Sequence, residues 1–475
     1  MATDKLGTWA SSLEFSSLPS PVIDAAVRSF QNSLGCIVGG SDHPTVQRTI
    51  QGLKSTFGHA KSSIFGQINK TGSAILADIS NTALINGIAS HVHDYDDTHL
   101  HTVIHPAGAV VVALLAYAES ESSQGRPVSG KSFITALVAG IEVSLRVGNA
   151  VSPKHYSEGW HITGTVSPIA VAAALANLLH LPPDKANNAL GIAATQPVGI
   201  RIQFGTDTKA FHAGRAAQNG MLATQLAQAG FTAAPDALEG RRGWVEVLGN
   251  GSNSLDEQVT QLLKYSTQKD GDSQRGIWEI EKNTFKPFPC GIVIHPTIDA
   301  CIQLHNEHNL SSNKTTLSKI KSIHLKVHPL VLDLTGNKTP KDGLEAKFSV
   351  YHGAAIGLVL GSATPAEYET HVVNDPDVLD IRGKVVATVD EGIQSDEAVV
   401  TLTMQDTDES ESKIEKHVKH AIGSLADPMT NKQLKEKFVK QVSSILGAAG
   451  AEKLDGMAWN VLDLGDVAGI AEAGR

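Results

Sequence analysis

The sequence predicts a mainly α-helical protein with a second, smaller α+β domain. Alanine-rich segments with large apolar residues at helical spacing run from about residue 18 to residue 230. A stretch of alternating apolar and polar residues begins at residue 320, and helical spacing returns in the last part of the chain. Because 475 residues exceed what a single hydrophobic core usually supports, two domains are expected.

The helical part is predicted from the spacing of large apolar residues within alanine-rich sequence. Alanine has the highest helix propensity, and small residues let helices pack closely. The predicted helices are Pro21–Gly39, Gly72–His93, Pro106–Glu119, Lys131–Val147 and Ser167–Leu181. Near the C-terminus, the amphipathic segment Asn431–Leu446 predicts a further helix.

Alternation of apolar and polar residues predicts strands in the second domain. The predicted strands are Ile320–His328, Lys384–Val389 and Ala398–Met404, with helix-like pieces at His295–His305 and Leu344–Leu360. Strands mixed with helices over this length indicate an α+β unit. We therefore expect residues 1–280 and 408–475 to form the helical domain, and residues 281–407 to form an α+β lid.

Composition excludes several classes of protein. The net charge of −10 argues against nucleic-acid binding, although a few convergent cations in a cleft can still attract an anion. Three cysteines are too few for a disulfide framework. The N-terminal segment has no basic region followed by an apolar run, and no stretch reaches the ~20 apolar residues of a membrane span. We expect a cytoplasmic protein without membrane contact.

The densest chemical signal is HVHDYDDTHLHTVIH, residues 91–105, with five histidines and three aspartates. One interpretation is a polar surface loop. A second is the metal site of a metal-dependent hydrolase, suggested by the pair His91 and His93. The preceding ALINGIAS indicates a helix, however, which turns residues i and i+2 to different sides, and no HxxxH or CxxC pair accompanies them. We favour the third interpretation, an acid/base and anion-binding loop without metal.

Two further segments carry candidate groups. In GWHITGT, His161 stands before an alanine-rich helix, where free backbone N–H groups attract anions and disfavour a charged imidazole. In FGTDTKAFHAGR, Lys209, His212 and Arg215 lie among small and apolar residues, with Arg201 just upstream. A partly buried lysine in such a place is a carboxylate clamp or a base with a lowered pKa.

Together these motifs resemble the MmgE/PrpD family, whose members include 2-methylcitrate dehydratase, cis-aconitate decarboxylase and iminodisuccinate epimerase. The matching segments are HVHDYDDTHLHTVIHPAG, GWHITGT, FGTDTKAFHAGRAAQNG and FKPFPCGIVIHPTIDA, in the family's order. The resemblance implies a helical domain with an α+β lid, no metal or organic cofactor, and a homodimer.

The resemblance also implies roles for individual residues. The family's active-site aspartate and threonine fall on Asp94 and Thr98. Its two active-site histidines fall on His105 and His161, and its lysine falls on Lys209. The animal decarboxylase carries a histidine where this chain has a glycine, at residue 291, and its lid tyrosine has no clear counterpart here.

We expect a lyase, a dehydratase or decarboxylase, acting on a citrate- or aconitate-like polycarboxylate by proton transfer next to a carboxylate. An epimerase of a small dicarboxylate is the alternative. In this hypothesis His161 removes or delivers the proton on carbon, and His105, oriented by Asp94, is the general acid. The candidate substrate-binding residues are Thr98, Arg201, Lys209 and His212.

Overall fold

The computed structural model describes residues 1–69, 71–250, 254–268, 275–310, 317–407 and 410–475. Two large hydrophobic cores contain most of the buried apolar residues. The larger core joins helices from the first 265 residues with the C-terminal helices, and the smaller core lies between residues 288 and 418. The predicted class, mainly α with an α+β second domain, is confirmed.

Several helices of the larger domain begin at a residue whose side chain caps the first turn. Asp78 accepts hydrogen bonds from the N–H groups of Ser80 and Asn81 (both 3.1 Å), and Thr430 begins the last long helix with a capping box. The helices of this part are Ala2–Ser12, Ser20–Gly39, Pro44–Leu53, Ile79–Val92, Gly108–Ser122, Gly130–Val151, Lys154–Ser157, Ile162–Leu178, Pro183–Ala194, Asp207–Gln228, Trp244–Leu248, Leu255–Tyr265, Asn431–Trp459 and Ala468–Ala473.

One helix of the described residues, Gly130–Val151, is long and apolar enough to cross a membrane. Within the protein, 94% of its apolar window is buried. Its two charged core residues, Glu142 and Arg146, pair with each other at 2.8 Å. The helix therefore packs as a core helix of the larger domain.

A four-stranded sheet lies in the smaller domain. Its strands are β3 (Ile320–Val327), β4 (Val385–Val389), β5 (Ala398–Thr407) and β6 (Ser410–Val418), in the order β4-β3-β5-β6 across the sheet. The helices of this domain are His295–Glu307, Pro329–Thr335, Gly343–Ala346, Val350–Leu360, Thr370–Val373 and Pro376–Gly383. β3 and β4 are parallel, so the chain between them makes a helical crossover; the other pairs are antiparallel.

Three expectations about secondary structure were wrong. The predicted helix Gly72–His93 begins only at Ile79, because Ala74–Ala77 (β2) pairs with Ser62–Ile68 (β1) as a hairpin. The chain after residue 409 does not return to helix at once. It forms β6, which pairs with β5, so the sheet extends beyond the expected domain boundary at residue 407. Residues 408 and 409 lie outside the described part of the chain. The piece Leu344–Leu360 is two helices separated near residue 348.

Two helices that lead into the pocket described below, Ile79–Val92 and Asp207–Gln228, touch at a pair of glycines. A Cβ placed on Gly87, in Ile79–Val92, would lie 2.5 Å from the Cα of Gly214, in Asp207–Gln228. Side chains at these positions would hold the helices apart, since backbone atoms cannot be displaced cheaply. The glycine contact therefore sets how closely the two helices approach.

Gly87→Ala is expected to destabilise the protein by about 1–3 kcal/mol because the added methyl meets backbone. The matched control is Gly456→Ala, in the helix Asn431–Trp459, where an added Cβ has no atom within 4 Å. It should stabilise the protein by about 0.5–1 kcal/mol through helix propensity. Urea denaturation followed by circular dichroism measures both; equal midpoints for the two variants would contradict the close contact.

Candidate active site

A pocket lies where the ends of three helices of the larger domain meet the smaller domain. It is reached by the loop after Ile79–Val92, the N-terminus of Ile162–Leu178 and the first turns of Asp207–Gln228. Its lining residues are Asp94, Thr98, Val103, His105, Tyr156, His161, Phe204, Lys209, Lys286, Gly291, Ile292, Leu334, Thr335 and Phe348. The histidine-rich loop, GWHITGT and the lysine segment thus converge on one cavity.

Asp94 is the electrostatic centre of this pocket. Its Oδ1 accepts hydrogen bonds from the Nζ atoms of Lys209 (2.7 Å) and Lys286 (2.9 Å), and its backbone oxygen also accepts from Lys286 (3.1 Å). Burial alone raises the pKa of the Asp94 carboxyl, but the two ammonium groups outweigh burial and hold that pKa well below its usual range. Asp94 is therefore a carboxylate, and its backbone φ of 51° makes the sharp turn that brings it there.

A second aspartate, Asp96, joins two imidazoles. Its Oδ1 lies 3.1 Å from His105 Nδ1, and its Oδ2 lies 2.7 Å from His91 Nδ1. Asp94 Oδ1, in contrast, is 3.6 Å from His105 Nε2. The expectation that Asp94 orients His105 is therefore corrected: Asp96 holds the Nδ1 side, which leaves Nε2 on the side of Asp94 and the pocket.

His161 has an imidazole partner instead of a carboxylate. Its Nδ1 lies 2.9 Å from Nδ1 of His212, so one ring donates this hydrogen bond and the other accepts it. Burial, with further contributions from His91 and Lys209, holds the pKa of His161 well below its ordinary value. Burial likewise lowers the pKa of His212 to about 4. His161 thus stays uncharged across neutral pH.

Thr98 and Lys209 have defined partners as well. Thr98 exchanges two backbone hydrogen bonds with Thr284, and its Oγ1 lies 3.4 Å from His105 Nδ1. The ammonium of Lys209 also faces the rings of Phe204 (5.8 Å) and Phe348 (5.6 Å). Burial lowers the pKa of Lys209, and Asp94 opposes that shift.

Two family models match successive parts of the chain. The MmgE/PrpD N-terminal domain matches residues 4–256, and the MmgE/PrpD C-terminal domain matches residues 288–462. The chain belongs to the MmgE/PrpD family. The second match extends over the helix Asn431–Trp459, which packs in the larger core.

Relatives of the chain include three proteins aligned over almost its whole length. A cis-aconitate decarboxylase of Aspergillus terreus is 24% identical over 99% of this chain and 95% of its own. A cis-aconitate decarboxylase-like protein of Aspergillus oryzae is 25% identical over 99% and 96%. The human cis-aconitate decarboxylase is 26% identical over 98% and 92%. The predicted membership of the MmgE/PrpD family and the predicted enzyme class, a lyase, are confirmed.

The structure places Arg201 outside the pocket of this family member. Its guanidinium donates to Asp333 Oδ2 (2.7 Å) and to the backbone oxygen of Tyr156 (3.0 Å), and it lies 4.4 Å from the Tyr156 ring. Because Asp333 belongs to the smaller domain, Arg201 ties the two domains together at the pocket margin. This corrects its expected place as a substrate clamp.

Sequence reasoning missed Lys286, Tyr156 and the central position of His91. Lys286 stands in FKPFPC, a lysine among apolar residues, which is the same signal that pointed to Lys209. His91, to which the family resemblance assigned no role, is buried between His105 (ring centroids 4.7 Å apart) and His161 (5.6 Å). The remaining histidines of the loop lie away from the pocket: His93 packs on His43, His99 lies 3.2 Å from Glu279, and His101 is exposed.

Among the described residues, His91, Asp94, Asp96 and His105 bring ligand atoms within 4.8 Å of one another, a grouping that could hold a metal ion. The donor set fits such an ion poorly. Asp94 already accepts hydrogen bonds from the ammonium groups of Lys209 and Lys286, and both of these positive charges would lie beside an added divalent cation. Like charges at this distance repel strongly in a buried site. These four side chains are therefore better suited to acid/base chemistry than to binding a metal ion.

Purified protein is expected to contain much less than one metal ion per chain, because the two lysines oppose cation binding. Elemental analysis measures this directly. Dialysis against a chelator, followed by back-titration with Zn²⁺, Mn²⁺ or Fe²⁺, should leave the melting temperature unchanged. Stoichiometric metal, or a chelator-sensitive melting temperature, would restore the metallohydrolase alternative.

Proposed function

We propose that the protein is a cofactor-independent decarboxylase of an aconitate-like unsaturated acid. The observation that carries this proposal is the pair of ammonium groups, Lys209 and Lys286, that flank the Asp94 carboxylate in a pocket also lined by His105 and His161. The ammonium groups suit substrate carboxylates, and the imidazoles suit proton transfer at carbon. The names of the relatives support decarboxylation over the other lyase reactions.

In this mechanism the bond between a carbon and its carboxylate breaks and carbon dioxide leaves. The electron pair moves into the adjacent double bond system, which ends in a second carboxylate held by the ammonium groups. One proton then returns to carbon from an imidazolium. His105 fits this step, because Asp96 on its Nδ1 supports the charged ring while Nε2 faces the pocket.

His161 fits a different role. A neutral imidazole with an imidazole partner can accept a proton from carbon, but no carboxylate stabilises its charged form. Proton removal from carbon is required for dehydration of a citrate-like acid and for epimerisation. Two imidazoles in one pocket therefore support an epimerase as the second candidate, in which His161 and His105 act on opposite faces.

The reaction is tested in deuterated water with cis-aconitate, citrate and an aspartate-derived dicarboxylate, followed by NMR and by carbon dioxide release. Decarboxylation predicts carbon dioxide release from cis-aconitate and one deuterium in the product. Loss of water from citrate would make the protein a dehydratase. Exchange without loss of mass would make it an epimerase. No reaction and no exchange would refute the proposed function.

His105→Gln is expected to lower kcat at least about 100-fold because it removes the proton donor. His161→Gln should lower kcat less, since decarboxylation does not need a base at carbon. The control, His371→Gln, changes an exposed histidine of the smaller domain and should leave kcat unchanged. A larger loss for His161→Gln than for His105→Gln would point to dehydration or epimerisation.

The pH dependence of kcat/KM tests the acid role of His105. Burial lowers the pKa of His105 in the free enzyme, with Asp96 opposing the shift. An acid must be protonated, so kcat/KM is expected to fall as pH rises through a value below 6.5. The carboxylates of bound substrate raise that pKa, which moves the descending limb of kcat to higher pH. A kcat/KM that rises across this range would assign His105 as a base.

A further inference from the structure

The two domains contribute residues of different chemical character to the pocket. The charged side chains that line it, Asp94, Lys209 and Lys286, are joined by the hydrogen bonds to Asp94 and lie outside the smaller core. The smaller domain contributes Gly291, Ile292, Leu334, Thr335 and Phe348, here called the lid wall. These residues are all uncharged, and Phe348 lies beside a cation, since its ring is 5.6 Å from Lys209 Nζ.

The polar groups near the lid wall are already engaged. The Thr335 hydroxyl donates to the backbone oxygen of Val331 (2.5 Å), as in a helix turn. The ammonium of Lys347, next to Phe348, donates to the backbone oxygen of Pro289 (3.2 Å) and lies 4.7 Å from the Tyr368 ring. Lys347 is not among the lining residues. A carboxylate placed against Ile292 or Leu334 would therefore be desolvated without pairing to either of these groups.

The charge of the lining groups also limits the number of carboxylates. With His105 protonated as the proposed acid, these groups carry positive charges on Lys209, Lys286 and His105 and one negative charge on Asp94. This balance of two positive charges suits two carboxylates better than three, because a buried anion needs a compensating charge. The apolar lid wall offers burial to an alkyl group instead.

We propose that the lid wall is a subsite for an apolar substituent, and that the preferred substrate is an unsaturated dicarboxylate with an alkyl group of two or more carbons in place of a third carboxylate. This inference rests on the proposed decarboxylase function. In the reaction the carbon–carboxylate bond breaks, its electron pair enters the double bond system, and one proton returns to carbon. The products are carbon dioxide and an alkyl-substituted unsaturated monocarboxylate.

The test compares cis-aconitate with both geometric isomers of 3-ethylglutaconate, in which an ethyl group replaces the central carboxylate. The better isomer is expected to have a kcat/KM at least about tenfold above that of cis-aconitate. Equal or better turnover of cis-aconitate would overturn the subsite while leaving the proposed function intact. Turnover of neither acid would overturn both.

Variants of the lid wall locate the effect. Leu334→Asn should lower the ratio of kcat/KM values, ethyl analogue over cis-aconitate, at least about tenfold. The matched control, Leu332→Asn, lies in the same helix Pro329–Thr335 but does not line the pocket, and should keep the ratio. Because a ratio does not depend on the folded fraction, partial unfolding does not obscure the result.

Ile292→Asn supplies a second lid-wall variant if Leu334→Asn yields too little folded protein. It should lower the same ratio, since Ile292 lines the pocket on the lid side. An unchanged ratio in the folded lid-wall variant would overturn the assignment of the subsite to these residues.

Discussion

The buried Asp94 carboxylate, shared by the ammonium groups of Lys209 and Lys286, is the interaction on which the site depends. Two ammonium groups next to each other in a buried pocket repel, and burial disfavours each charge. Asp94 offsets both effects through hydrogen bonds of 2.7 and 2.9 Å. Three distant parts of the chain must meet for this: the turn at residue 94, the start of the helix Asp207–Gln228, and the segment around residue 286. The pocket therefore exists only in the folded protein, and the close contact of Gly87 with Gly214 is part of its construction.

Sequence periodicity predicted the helices and strands whose conformation depends mainly on residues near to one another in the chain. Apolar spacing and alanine content located the main helices, and alternation located β3, β4 and β5, because a side chain's face follows directly from the geometry of its element. The three motifs around His105, His161 and Lys209 were recognised because they combine ionisable groups with small or apolar neighbours. The structure brings these three residues, with Asp94 and Thr98, to one pocket. The spacing of these residues in the sequence did not predict which of them would be hydrogen-bonded to one another.

The failures share a physical cause, since each depends on contacts between parts distant in sequence. β6 reads as a charged segment, and its strand conformation comes from pairing with β5. The charge of Arg201 suggested that it binds a substrate carboxylate, but its guanidinium donates a hydrogen bond to Asp333 from the other domain. Asp94 and Asp96 are two residues apart, yet across a turn with a positive φ at Asp94 the first contacts the lysines and the second contacts His105. A turn of this kind leaves no periodic signal.

The two histidines of the pocket differ because their partners differ. A carboxylate on Nδ1 lowers the cost of charging His105, whereas an imidazole on Nδ1 leaves His161 with no counter-charge. Substrate carboxylates change this balance unequally. They raise the pKa of both rings, but His105 starts with the support of Asp96 and gains its proton first. In the proposed mechanism, binding of the anionic substrate thus protonates the acid, His105, while His161 stays neutral. The same pocket could carry out proton removal only if the substrate presented its acidic carbon to His161, so the position of that carbon between the two rings selects the reaction.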